Sequence, residues 1–296
     1  MAMRLAFIGF GEAARAFRES LARHDPTLEF AAYDVLLERE GAGGACGAEM
    51  TAAGVAIAAT PEAAAQGADW VISAVTADQS RAAAASVAPF LHAGQVFFDI
   101  NSVSPATKRG NAERVEAGGA RYLDMAVMAP VHPRGHRTPV LIAGTLDAPT
   151  AERLATLDFQ YETAGAGIGG ATAIKMVRSL FVKGLEALTV EAYIAAEASG
   201  CLPEIRASLA KSYPGLGWPD FAEYEFERVL KHGMRRAAEM RESAATLNEL
   251  GLNGALAAAI ADVQELTALA GRRMAPPAET LEGTIAGLAQ QRRRRG

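Results

Sequence analysis

Apolar residues fall into short, nearly unbroken runs through the first half of the chain and into long helical stretches through the second. Seven runs read as strands: MRLAFIG, LEFAAYD, VAIA near Val55, WVISAV from Trp70 to Val75, QVFFDI from Gln95 to Ile100, ARYLDMAVM and TPVLIAG. Apolar character at almost every position, rather than at alternate ones, predicts strands covered on both faces, as in a parallel sheet with helices on either side. Among the intervening segments EAARAFRESLARH reads as a helix, and PEAAAQGA and DQSRAAAASVAPFLHAG carry helix-forming composition closed by Gly or Pro. The segment GAGGACGAEMTAAG is rich enough in glycine to read as a loop or a frayed helix.

The pattern changes after about Gly165. From Ile168 to Ser199 the chain contains no proline and is apolar on most faces, which predicts a helix over about 168–199, buried between two domains. Beyond Gly200 it reads as short helices broken at Pro203, Pro214, Pro219, Gly251 and the pair Pro276, Pro277. The expected plan is an α/β, doubly wound, mainly parallel domain of Rossmann type over 1–165, followed by an all-α domain over 166–296.

Composition narrows the classes. With 296 residues, 50% hydrophobic content and a net charge of -5, the chain is long enough for one large or two ordinary domains, and nothing suggests a nucleic-acid partner. The run Arg292 to Arg295 reads as a solvated, disordered tail. A charged leader and an apolar stretch of membrane-spanning length are both missing from the pattern, so a cytoplasmic location is expected and no membrane partner. Cys46 and Cys201 read as free thiols, and no metal-ligand cluster is visible.

Candidate chemistry starts where the first strand breaks into GFGEAA, comprising Gly9, Phe10, Gly11, Glu12, Ala13 and Ala14. Gly9 suits the tight turn, Gly11 the approach of a pyrophosphate, and Ala14 the close packing of helix on sheet. The helix that follows turns unpaired N–H groups and a positive dipole end toward the phosphates. Asp34 closes the second strand, where an acid can accept both ribose hydroxyls and repel a 2′-phosphate. NAD is therefore the expected cofactor, with NADP left open by the nearby Arg39.

Thr76 and Asn101, with Ser102, stand beyond later strands where a nicotinamide would lie; helix capping is the competing reading for each. Lys175 begins the long apolar helix, and Ser179 and Glu186 share its face, with Arg178 beside them. A lysine there suits proton transfer, or simply snorkels to water.

The order GFGEAA, VTADQS, DINSVSP, LDMAVMAP and GIGGATAIKMV resembles the β-hydroxyacid dehydrogenase superfamily, which includes 3-hydroxyisobutyrate dehydrogenase and 6-phosphogluconate dehydrogenase. The helix KMVRSLFVKGLEALTVEAY is similar to the corresponding helix of the latter. The resemblance implies that Lys175 is the catalytic acid/base, and that the chain forms a homodimer through its C-terminal domain. It also implies an NAD(P)-dependent dehydrogenase acting on a small, acidic hydroxy acid.

Three departures qualify this. Ser179 stands where the family has asparagine, Val182 where the decarboxylating member has its proton-donating glutamate, and Met128, Ala129 and Pro130 where the substrate loop has Ser-Gly-Gly. The altered loop and helix look most like a phosphogluconate-dehydrogenase-like branch with its own C-terminal domain. Met128, Ala129 and Ser179 are the expected substrate contacts, with His232 a further candidate on the helical segment FERVLKHGMRRAAEM. Lys231, Arg235 and Arg236 of that segment read as a solvated basic face. His132, Arg134, His136 and Arg137 either recognise an acidic substrate or cover a loop. Two alternatives remain at this level: an imine or ketone reductase, and a dinucleotide-binding regulatory protein without turnover.

Overall fold

The computed structural model describes residues 2–274 and 278–293. The expected break at Pro276 and Pro277, and Arg294 and Arg295 of the expected tail, lie outside the described residues.

Two compact units divide the chain, Met1–Lys175 and Met176–Gly296. Among the described residues of the first, eight strands are interspersed with seven α-helices ahead of the long helix that leaves it. The strands are β1 (Arg4–Ile8), β2 (Glu29–Tyr33), β3 (Ala56–Ile57), β4 (Trp70–Ser73), β5 (Val96–Asp99), β6 (Arg121–Val127), β7 (Val140–Ala143) and β8 (Tyr161–Thr163). Between them run α1 (Glu12–His24), α2 (Leu36–Glu40), α3 (Ala45–Ala52), α4 (Pro61–Ala65), α5 (Ser80–Val87), α6 (Pro105–Glu116) and α7 (Ala148–Thr156). The sheet order is β3-β2-β1-β4-β5-β6-β7-β8, parallel throughout except between β6 and β7.

The continuous apolar runs have a direct structural cause. Leu5 and Phe7 of β1, Trp70 and Ile72 of β4, and Val96 and Phe98 of β5 pack into one layer. Ala6, Ile8, Val71 and Phe97, which alternate with them, pack into the layer on the other face. Chain order reverses between β1 and β4, and ligands of such sheets bind beyond the carboxyl ends of the strands at that point.

The second unit is helical. The long helix α8 (Gly170–Ala198) starts in the first unit, and α9 (Leu202–Ser212), α10 (Asp220–Glu249), α11 (Ala255–Arg272) and α12 (Leu281–Arg293) follow. Val190, Tyr193, Phe226, Val229 and Leu288 form one buried cluster, while Ala187, Ala237, Met240 and Ile260 form another. Among the described residues no helix is long and apolar enough to cross a membrane.

Four expectations need correction. The glycine-rich segment after Gly41 contains an ordinary helix, α3, because Cys46 and Met50 bury their side chains in the core. The region after Gly200 is not a series of short helices, since α10 runs for 30 residues. Pro203 lies in the first turn of α9 and Pro219 is the N-cap of α10, positions where a missing N–H removes no helical bond. Arg292 and Arg293 complete α12 instead of opening a tail, and Arg292 is held by a two-pronged contact to Glu191. Finally, α8 is not buried on all its apolar faces: Phe181 is 70% and Leu188 67% exposed, with Val177 open beside them.

Candidate functional site

The glycine turn leaves β1 through Gly9, whose φ of +88° a side chain rarely tolerates, and a Cβ there would fall 2.6 Å from the Ala74 carbonyl oxygen. Gly11 is the N-cap of α1 and supplies no capping side chain, and a Cβ on it would meet nothing within 4 Å. The first turn of α1, with Glu12 exposed and Ala13 behind it, thus turns its N–H groups and positive dipole end toward open space. Ala14 is fully buried against the sheet.

Phe10 drives its ring into the core, edge-on to Phe7, while its N–H donates to Asp34 Oδ2 at 2.8 Å. The N–H of Leu36 donates to Asp34 Oδ1 at 3.0 Å. The carboxylate is therefore fixed between the glycine turn and the start of α2, and each oxygen keeps a lone pair for a ribose hydroxyl. An uncapped helix start, an open approach at Gly11 and an oriented acid fit the adenosine diphosphate portion of a nicotinamide dinucleotide.

Beyond β4 and β5 the expected pair separates into different tasks. Thr76 is exposed just after β4. Asn101 is buried, its Oδ1 accepting from the N–H of Val75 at 2.7 Å and its Nδ2 donating to Ser73 Oγ at 2.9 Å. Both ends of its amide are engaged in joining the loops after β4 and β5. The half-buried hydroxyl next to it belongs to Ser102, and Lys175 Nζ donates to that oxygen at 2.7 Å.

Lys175 is placed there from below. The N–H of Thr172, in the first turn of α8, donates to Asp124 Oδ2 at 3.0 Å, and Thr172 Oγ1 donates to the Val103 carbonyl at 2.7 Å. Asp124 belongs to a fully buried polar cluster that sequence reasoning missed. Lys108 Nζ donates to the carbonyl of Asp99 at 2.6 Å and to its Oδ1 at 2.9 Å, and lies 3.4 Å from Asp124 Oδ1. The hydroxyl of Tyr122 and Nδ2 of Asn111 donate to Asp99 Oδ2 at 2.6 and 3.1 Å. Burial next to these carboxylates raises the Tyr122 phenol well above its ordinary value. A signal for the acids existed, since each ends or interrupts an apolar run and the two face each other in register across β5 and β6. None existed for Lys108, because PATKRGNAERVE reads as a helix with its lysine in water.

The substrate-loop candidates follow β6. The N–H of Met128 donates to the Pro139 carbonyl at 2.9 Å, and its side chain packs beside Ala126, Ala143 and Ala171, the last of these in the first turn of α8. Ala129 is half-buried beyond it. Of the four cationic candidates further along, His136 is spent on the fold: it is buried, with Nδ1 2.8 Å from Ser20 Oγ and Nε2 2.8 Å from the Leu157 carbonyl oxygen. Burial pushes its pKa down to about 4, which leaves it neutral at physiological pH. Arg137 pairs with Asp158, whereas His132 and Arg134 are exposed.

Ser179 and His232 belong to the helical unit. Ser179 is buried and accepts a hydrogen bond from Lys183 Nζ at 3.2 Å, and Lys183 is paired with Glu239. His232 is partly buried on α10, and burial followed by the charges of Arg228, Arg235, Arg236 and Lys231 lowers its pKa. The face carrying it is not uniformly solvated: Arg236 is buried and pairs with Glu186, to which Gln264 Nε2 also donates at 2.9 Å.

Residues 4–149 match the family described as the NAD binding domain of 6-phosphogluconate dehydrogenase, and residues 196–267 match a domain of unknown function, DUF1932. A conserved hypothetical protein from Sinorhizobium meliloti 1021 is 36% identical, with a TM-score of 0.77 over 98% of this chain and 97% of that one. The 3-hydroxyisobutyrate dehydrogenase of Mycobacterium tuberculosis, solved with L-serine, shares the fold at 19% identity and a TM-score of 0.70 over 99% of this chain and 100% of that one. An uncharacterized 28.5 kDa protein in the 7S RNA 5′ region of Methanothermus fervidus is 26% identical over 174 residues, 59% of this chain and 66% of that protein's length. A dinucleotide-binding domain of the 6-phosphogluconate dehydrogenase type over the first half, continued by a DUF1932 domain, makes this chain a member of the family it shares with the Sinorhizobium meliloti protein.

Proposed function

We propose that this protein is an NAD-dependent oxidoreductase acting on the secondary alcohol of a small hydroxy acid, with Lys175 as the proton-transfer group. The observation that carries the reading is the Lys175 amine held 2.7 Å from Ser102 Oγ, beyond the carboxyl end of β5 and in the same unit as the glycine turn. The nicotinamide, when bound, supplies the acceptor or donor of hydride. Lys175 takes the proton from the substrate hydroxyl in oxidation and returns it in reduction, and Ser102 orients the amine through its hydroxyl oxygen. Asp34 and the first turn of α1 hold the adenosine diphosphate end.

The helix register supports a reaction without decarboxylation of 6-phosphogluconate, because α8 carries valine, not an acid, at position 182. Met128 and Ala129 line the substrate side of this reading, and Ser179 and His232 are proposed contacts from the helical unit. Met128 also favours one alternative, since an apolar thioether in the substrate loop suits an uncharged imine or ketone. The exposed apolar face of α8 supports a homodimer, as a stripe of Val177, Phe181 and Leu188 is costly to leave in water. A cofactor-reduction screen against hydroxy acids, run beside the reverse screen with ketones and imines, tests the reading. Tight NADH binding with no turnover in either direction would favour a regulatory protein instead.

A further inference from the structure

We infer that Lys108 is a positioning residue whose buried ammonium holds the Ser102–Lys175 pair in register. The pair is suspended at three points, and all three lead to Lys108. Asn101, before Ser102, donates its N–H to Asp99 Oδ1 at 3.0 Å, the oxygen that also accepts from Lys108. Val103, after Ser102, accepts from Thr172 Oγ1, and the N–H of Thr172 is bound by Asp124. Thr172 is three residues before Lys175 on α8, so Asp124 sets where that helix begins and how far the Lys175 amine reaches.

The ammonium is what makes two carboxylates tolerable at this place. Lys108, Asp99 and Asp124 are each 0% exposed, with Cα partners Asp99 and Asp124 on neighbouring strands. Without a cation between them, two buried carboxylates repel and lose solvation together. The cluster stays together because Lys108 donates to the Asp99 carbonyl and to Asp99 Oδ1, while its charge sits 3.4 Å from Asp124 Oδ1, an oxygen that has no hydrogen-bond partner among the described residues and is compensated by the ion pair. Asp99 in turn accepts from Asn101, Asn111 and Tyr122, so its lone pairs are filled. Removing Lys108 therefore pushes the end of β5 away from the middle of β6, and with them the loop carrying Ser102 and the start of α8. Lys108 touches neither Ser102 nor Lys175 and acts through these intermediaries.

This inference rests on Lys175 being the working amine, and its test needs no substrate. Competitive acetylation of lysines with acetic anhydride, read by mass spectrometry on the full chain, gives the pH at which each amine becomes reactive. Exposed Lys211 serves as the internal reference. In Ser102→Ala the reactive pH of Lys175 falls, because the hydrogen bond that favours its charged form is lost. Lys108→Met is expected to change Lys175 labelling near neutral pH by about threefold relative to the unaltered chain, equivalent to about half a pH unit, with Lys211 unchanged. A folded Lys108→Met protein whose Lys175 labels as in the unaltered chain overturns the inference. If Lys108→Met does not fold, Asp124→Asn replaces it, since asparagine keeps an oxygen for the Thr172 N–H and removes the charge that holds Lys108. An unmoved Lys175 in that variant overturns the inference equally. Turnover that survives Lys175→Ala would sink the catalytic reading while leaving the labelling result intact.

Discussion

Lys175 Nζ donates to Ser102 Oγ across 2.7 Å, although 73 residues separate them in the chain. The contact orients the amine through a hydroxyl oxygen, which itself carries no charge. Lys175→Ala should lower turnover by roughly a hundred- to ten-thousand-fold, the usual loss for a general acid/base, with dinucleotide affinity nearly unchanged. Lys175→Arg should fail to restore it, because a guanidinium stays protonated. Steady-state kinetics beside calorimetric titration of NADH separates this from a purely structural lysine, which would change melting temperature and leave turnover.

Asp34 is already oriented by the N–H groups of Phe10 and Leu36, so its charge stands ready against a 2′-phosphate. Calorimetry should find NAD bound more tightly than NADP. Asp34→Ala should narrow or reverse the preference, and it should also weaken the glycine turn by removing the acceptor of the Phe10 N–H. Equal affinities in the unaltered protein would mean that Arg39 or another cation dominates.

Incubation with 6-phosphogluconate and NAD should release no CO2, because Val182 cannot transfer a proton two turns along α8 from Lys175. Accumulation of ribulose 5-phosphate would show that another acid takes that part, and would remove the significance given to Val182.

Acid should act oppositely on two buried groups, one in each unit. Glu225 of α10 is 5% exposed, and burial, with Glu186 adding to it, pushes its carboxyl from 4.5 up to about 7. The folded state then binds the proton more tightly than the unfolded state, so this contribution is full below pH 4.5 and is lost as pH rises toward 7. For His136 the folded value drops from 6.5 to about 4, so its contribution is full above pH 6.5 and is lost as pH falls toward 4. Glu225→Gln should raise the melting temperature at pH above 7 and flatten the decline that precedes it. His136→Gln should lose stability at neutral pH but respond less to acid. Calorimetric scans across this range that show unchanged pH slopes would refute either assignment.

The chain should be a dimer at micromolar concentration by light scattering. Phe181→Asp, placed at the centre of the exposed α8 stripe, should shift it toward monomer while near-ultraviolet circular dichroism stays constant. An unaltered chain that is already monomeric would remove the proposed interface.

Much of the nucleotide-binding half was legible along the chain because its signals are local. The glycine turn, the apolar runs and the acid ending β2 lie within 34 consecutive residues, and backbone sterics at Gly9 limit what can stand there. Strands covered on both faces announce themselves by unbroken apolar character, and β1, β2, β4, β5 and β6 all fall where that pattern put them. The eighth strand, Tyr161–Thr163, went unread because a three-residue edge strand, partly exposed, carries no such run.

Polar residues inside the fold followed a different rule. A lysine at position 108 has the same sequence appearance whether it meets water or two aspartates, because periodicity reports which face is apolar and says nothing of what comes to lie against it. Its partner Asp124 is 16 residues away, and the Thr172 that Asp124 anchors is 48 further on. The same applies to Asn101, whose amide is consumed by Val75 and Ser73, and to Arg236, buried against Glu186 rather than solvated. Burying a charge is favourable only when a compensating group arrives from elsewhere in the chain, and that arrival is decided by the packing of whole strands and helices.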